Sequence, residues 1–125
     1  MIAASRIHIL LASLMGAGGV TLWAMASHGG GSPTVITAAQ FLLIHAAAVC
    51  ALTACRKQGL VHDRAASLGI SGLILGTMLF SGDLALRALQ GIKLFTMAAP
   101  IGGSLLILGW LVVAVAALLP SRSEA

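Results

Sequence analysis

Acidic residues are nearly missing from this chain. Asp63, Asp83 and Glu124 are the three it has in 125 residues, too scattered for the paired carboxylates of general acid–base catalysis. Cysteine is as sparse. Cys50 and Cys55 stand five apart, about 140° around a helix, which is neither a C-x-x-C pair nor a zinc-ligand spacing; they read as packed thiols. There is no Ser-His-Asp ordering and no cluster of metal-ligating residues. No catalytic residue, metal or cofactor is therefore expected.

Charge of either sign is scarce: 8% of residues are charged and 59% hydrophobic, with mean hydropathy +1.07. A soluble domain carries about 25% charged and about 45–50% apolar residues, and so small a chain has too much surface to hide this excess in water. The composition is that of an integral membrane protein. The net charge of +4 comes from bases placed mainly between or beside apolar runs, the pattern of a topology signal rather than of nucleic-acid binding.

Four apolar runs are present, at about 7–26, 34–54, 66–86 and 98–119. Each is near the ~20 residues that cross a ~30 Å hydrocarbon core. The first resembles a signal peptide, with Arg6 before it and Ala24-Met25-Ala26 at its end, but its length favours a retained span, with Ala12, Gly16 and Gly19 as a small-residue face. His28 to Pro33 is a turn cluster, residues 55–65 a short polar loop, and 84–97 an extension of the third helix with an amphipathic connector. The predicted fold is all-α: one four-helix transmembrane domain over 1–125. Arg6, Arg56, Lys57, Arg64 and Arg122 fall on one side, Arg87 and Lys93 on the other. The positive-inside rule then puts both termini in the cytoplasm.

The third run, Gly69 to Leu86, organises the rest. At 100° per residue, Gly72, Gly76 and Asp83 lie at about −60°, −20° and −40° from Gly69, so three glycines and an acid share one face. Small residues mark where another membrane helix approaches closely. Asp83 has Arg87 four residues on, in the favourable order for a helical ion pair; the sharper alternative is an Asp83–His28 contact at the outer mouth of the bundle. His45 lies roughly 15 Å into its span, near the midplane, where ionisable groups face a bundle interior or a water cavity. It is either a relay or ligand contact, or a neutral imidazole bonding across helices. No second histidine shares its level, which argues against haem. Pro100 suits the first turn of the fourth helix, which also carries Gly102, Gly103, Gly109 and an internal Trp110.

Leu79-Phe80-Ser81-Gly82-x-Leu84 followed by Ala88-Leu89-x-Gly91 is similar to the LFSGxL…ALxG signature of the domain-of-unknown-function 423 family, YgdD-like small inner-membrane proteins. Pro100-x-Gly102-Gly103 and Gly109-Trp110 resemble that family's TPxGG…GW element, His28-Gly29 its AHG element and His45-Ala46 its YHA element. Departures are Met25-Ala26 for Phe-Gly, Ile44 for tyrosine, Ala99 for threonine, and Asp83 in a slot that is often serine. The resemblance implies a bacterial inner-membrane, multi-pass protein and marks His28, His45, Ser81, Gly82, Pro100 and Gly102 as positions of interest. The expected role is that of a non-catalytic structural or accessory subunit, bathed in lipid and packed against a larger membrane partner or a second copy of itself. The rival is a small transporter or proton/ligand conduit using His45.

Overall fold

The structure, a computed structural model, describes residues 3–30 and 32–121. Four helices follow in order: α1 (Ala4–Met25), α2 (Pro33–Lys57), α3 (Asp63–Gln90) and α4 (Ala98–Leu118). All four are long and apolar enough to cross a membrane. Among the described residues there is no strand. Four successive crossings return the chain to the side on which it began. The start of α1, the 58–62 turn and the end of α4 form one end of the bundle, here the terminal end. The 26–30 segment and the 91–97 connector form the opposite end.

The helix boundaries have local causes. Pro33 opens α2 at a position where a missing N–H leaves no bond unmade. His62 caps α3, its Nδ1 accepting from the Ala65 N–H at 3.3 Å, and Asp63 places an acid against the positive end of the α3 dipole. Gly91 ends α3 in the left-handed region at φ 69°, where a side chain is strained and glycine is not. At the terminal end the His62 N–H bonds the Ala116 carbonyl of α4 at 2.9 Å, tying the α2–α3 turn to the last helix.

Two expectations about segments are corrected. The polar loop is shorter than 55–65: α2 continues through Arg56 and Lys57 and α3 begins at Asp63, so these charges sit on helix ends. Arg56 and Asp63 pair across the turn at 3.0 Å. Nor is the 91–97 connector an amphipathic helix. The α3 helix runs on to Gln90, and the left-handed turn at Gly91 then breaks it. Gly31, Arg122 and Glu124, used above for a turn, for charge placement and in the count of acids, lie outside the described residues.

The α3 helix is the centre of the bundle, touching all three others; α1 and α2 pack as a pair on one side of it and α4 on the other. The core joins Ala12 and Met15 of α1, Ala46 and Val49 of α2, Ile70, Leu73 and Ile74 of α3, and Leu106 and Val113 of α4. Outward-facing Leu14, Val20, Ile44, Leu75, Ile107 and Leu111 are exposed, the inverse of a soluble bundle. In lipid that exposure carries no hydrophobic penalty, so shape and polar bonds must hold the helices together.

Shape acts most strongly between α3 and α4. A Cβ on Gly76 would stand 2.8 Å from the Gly102 carbonyl oxygen and 2.9 Å from the Leu106 nitrogen; one on Gly102 would stand 2.6 Å from the Phe80 nitrogen. One on Gly109 would meet the Gly69 carbonyl oxygen at 3.1 Å. Backbone meets backbone along this seam, which only glycine permits. On the other side of the bundle, a Cβ on Gly19 would meet Leu43 Cγ at 2.7 Å, so the small-residue face of α1 rests on α2.

Candidate functional site

His45 is the central residue of α2 and is 5% exposed. A carbonyl can only accept, so the 2.9 Å contact to the Phe41 oxygen requires His45 Nδ1 to carry the proton. Indole N–H can only donate, so the 3.2 Å contact from Trp110 Nε1 requires His45 Nε2 to be the acceptor. The two bonds together define one neutral tautomer with both nitrogens used. They also link α2 to α4, which otherwise pack mainly through α3. Around them the rings form a ladder: Trp110 to His45 at 6.0 Å, His45 to Phe41 at 5.7 Å, Phe41 to Phe80 at 4.5 Å between centroids. A cleft of about 340 Å³ lies beside this ladder, lined by Phe41, His45, Phe80, Gly103, Leu106, Ile107 and Trp110. Ile107 and Trp110 are themselves exposed, so the cleft belongs to the apolar outer surface.

Asp83 is fully buried at the opposite end. Its Oδ2 accepts from Arg87 Nε at 2.8 Å, the i,i+4 pair. Its Oδ1 accepts from the Leu94 N–H at 2.9 Å, eleven residues on, and the Ala99 N–H in the first turn of α4 faces the same carboxylate. Asp83 thus clamps the connector back onto α3 and places a negative charge at the start of α4. The N-cap residue Met97 contributes no side-chain bond and is left-handed at φ 71°; the acid that serves this helix start comes from α3. The Asp83–His28 contact is not formed: His28 is exposed on the distorted 26–30 segment, and Asp83 is occupied by Arg87 and the connector.

Replacing Asp83 by alanine is expected to speed amide hydrogen exchange across 91–99 while leaving the Gly69–Gly76 stretch protected. Asp83→Asn, which keeps an acceptor for Leu94, should retain most of that protection. Equal exchange in the two variants would remove the clamp.

The other positions singled out by the sequence separate by role. Gly69, Gly72 and Gly76 face α4. Gly102 closes the seam from the other side, while a Cβ on Gly82 would meet Leu94 Cδ1 at 3.4 Å, an ordinary contact. Ser81 is buried with its hydroxyl unpartnered among the described residues. Pro100 is exposed in the first turn of α4, its carbonyl accepting from Ser104 Oγ at 2.9 Å.

Sequence reasoning passed over His8. It is buried, with Nε2 3.0 Å from Ser71 Oγ of α3. The signal was present: His8 shares a helical face with Ala12, Met15 and Gly19, all buried. A polar residue in register with a small-residue stripe needs a partner inside the bundle.

Four membrane-length helices, closed by polar bonds between their own side chains, define a multi-pass helical membrane protein. The chain belongs to the family described as protein of unknown function (DUF423), whose pattern matches residues 22–103. That span holds His28, His45, the α3 seam, Asp83 and Gly102; Trp110 falls beyond it. The chain is similar to a UPF0382 membrane protein of Haemophilus influenzae, 29% identical over 111 residues, covering 83% of this chain and 87% of that protein. No solved structure matches significantly.

Proposed function

We propose that this chain is a small non-catalytic membrane protein of the bacterial inner membrane. It serves as a structural or accessory subunit packed against a larger membrane partner, with both termini in the cytoplasm. The observation that carries the reading is the closed state of His45: both ring nitrogens are bonded, one within α2 and one to α4. A relay needs a midplane nitrogen free to exchange a proton with water, whereas a packing element needs one held by its neighbours. Asp83 is likewise engaged by Arg87 and the connector. What remains available to a partner is the outer surface, above all the side of α4 that exposes Ile101, Ile107, Leu108, Leu111 and Val115. The orientation rests on Arg6, Arg56, Lys57 and Arg64, all at the terminal end.

The test is a flux measurement on the purified chain in proteoliposomes. Proton and small-solute flux should equal that of empty vesicles. A flux above that background, lost in a folded His45→Phe variant, would overturn the proposal in favour of a conduit.

A further inference from the structure

Between α1 and α2, at the terminal end, lies a cleft of about 600 Å³ whose lining includes Arg6, Ile9 and Leu10 from α1 and Cys50, Thr53 and Lys57 from α2. Its two cations stand at the mouth, exposed. The described acids are elsewhere: Asp63 pairs with Arg56 across the α2–α3 turn and Asp83 is at the far end of the bundle. From Lys57 to Cys50 the cleft runs seven residues down α2, about 10 Å at 1.5 Å per residue. Its deeper wall is mostly apolar; Ser13 lies there too, with its hydroxyl donating to the Ile9 carbonyl at 2.8 Å.

Thr53 supplies a second, independent observation. It is 3% exposed, lines this cleft, and its Oγ1 has no hydrogen-bond partner among the described residues. Ser81 Oγ is in the same state, but three other threonines are not. Thr21, Thr37 and Thr77 each donate to the carbonyl four residues earlier, at 2.8, 3.1 and 2.6 Å, which is how a helical threonine hides its hydroxyl in lipid. An unpartnered buried hydroxyl is disfavoured, and the residue that carries it lines the same cleft as the two cations.

We infer that this cleft is a binding site for an anionic glycerophospholipid of the leaflet surrounding the terminal end. The phosphate sits between Arg6 and Lys57, a glycerol or ester oxygen accepts from Thr53 Oγ1 once the side chain turns its now-buried hydroxyl toward the cleft, and an acyl chain runs beside Ile9, Leu10 and Cys50. Basic pockets between membrane helices are suited to such headgroups. The length of the trough and its apolar floor fit an amphiphile; a free phosphate would use the mouth alone.

The experiment titrates the delipidated full chain, in an uncharged detergent, with phosphatidylglycerol, phosphatidylcholine or inorganic phosphate. Bound lipid is counted by native mass spectrometry and stabilisation by the melting temperature. One phosphatidylglycerol should be retained per chain and should raise Tm, while phosphatidylcholine and inorganic phosphate should do neither. At about 1 kcal/mol per cation near the surface, Arg6→Gln with Lys57→Gln should weaken phosphatidylglycerol binding roughly 30-fold. Thr53→Val should weaken it further and Thr53→Ser should not. Arg64→Gln with Lys93→Gln, the same charge change elsewhere, should leave binding intact. Equal weakening by that control pair, equal retention of phosphatidylcholine, or competition by inorganic phosphate would each overturn the inference.

Discussion

Gly76→Ala is expected to lower the thermal stability of the protein markedly in detergent, and Gly72→Ala, one turn away in the same seam, to leave it nearly unchanged. The added methyl is the same; what it meets differs. At Gly76 it would stand 2.8 and 2.9 Å from the Gly102 oxygen and the Leu106 nitrogen, atoms of a helix backbone that cannot rotate away. At Gly72 its nearest neighbour is Gly109 Cα at 3.6 Å, an ordinary contact. Overpacking a fitted interior costs typically 1–3 kcal/mol, and the upper part of that range applies where α3 and α4 must separate as bodies. Gly102→Ala, with its methyl 2.6 Å from the Phe80 nitrogen, should be at least as damaging as Gly76→Ala. Thermal unfolding of the three variants, beside the parent, measures the register of the seam. Equal loss at Gly72 and Gly76 would mean that the helices meet differently.

The second large effect is expected at the midplane. His45→Phe preserves a ring of similar bulk but strands the Trp110 N–H beside lipid; Trp110→Phe leaves His45 Nε2 without its donor. Interhelical hydrogen bonds in membranes average about 0.6 kcal/mol and reach about 1.7 kcal/mol in double-mutant cycles. The coupling between His45 and Trp110 should lie toward the upper value, because they join helices that otherwise meet mainly through α3. The double variant should therefore be less destabilised than the sum of the singles. Strict additivity would mean that the two rings are neighbours without a bond.

What the sequence disclosed about these sites follows the range of each interaction. Within one helix, 100° per residue is enough: it aligned Gly69, Gly72 and Gly76, and it paired Asp83 with Arg87. The midplane depth of His45 followed from counting along its run. Across helices the information disappears. Trp110 lies 65 residues from His45, and nothing in the chain's periodicity states the relative rotation and height of α2 and α4. The difference between Gly72 and Gly76 depends on a few tenths of an ångström to a full ångström in how α4 is seated. The Leu94 bond to Asp83 was hidden for another reason: residues 91–97 carry an amphipathic pattern, but the left-handed turn at Gly91 breaks the helix there, and the free backbone N–H folds back to the carboxylate. His8 is legible through the helical face it shares with Ala12, Met15 and Gly19; its depth near the terminal end does not by itself mark it as buried.

Family membership agrees with this division. The matched span covers the end of α1 through the start of α4, so it contains the α3 side of the seam, Gly102, His45 and the Asp83 clamp but not Gly109 or Trp110. The relation supports a shared membrane bundle. The His45–Trp110 bond and the Asp83 clamp are seen in this chain.

The central claim, that this bundle works by packing against a larger membrane partner, is tested most directly by mild-detergent extraction from native membranes. A tag on the chain, a native gel and mass identification of co-migrating bands complete the measurement. The chain is expected to migrate with a larger membrane complex in fixed stoichiometry. Migration as a lone monomer, or as a ring of identical copies with no other protein, would contradict it.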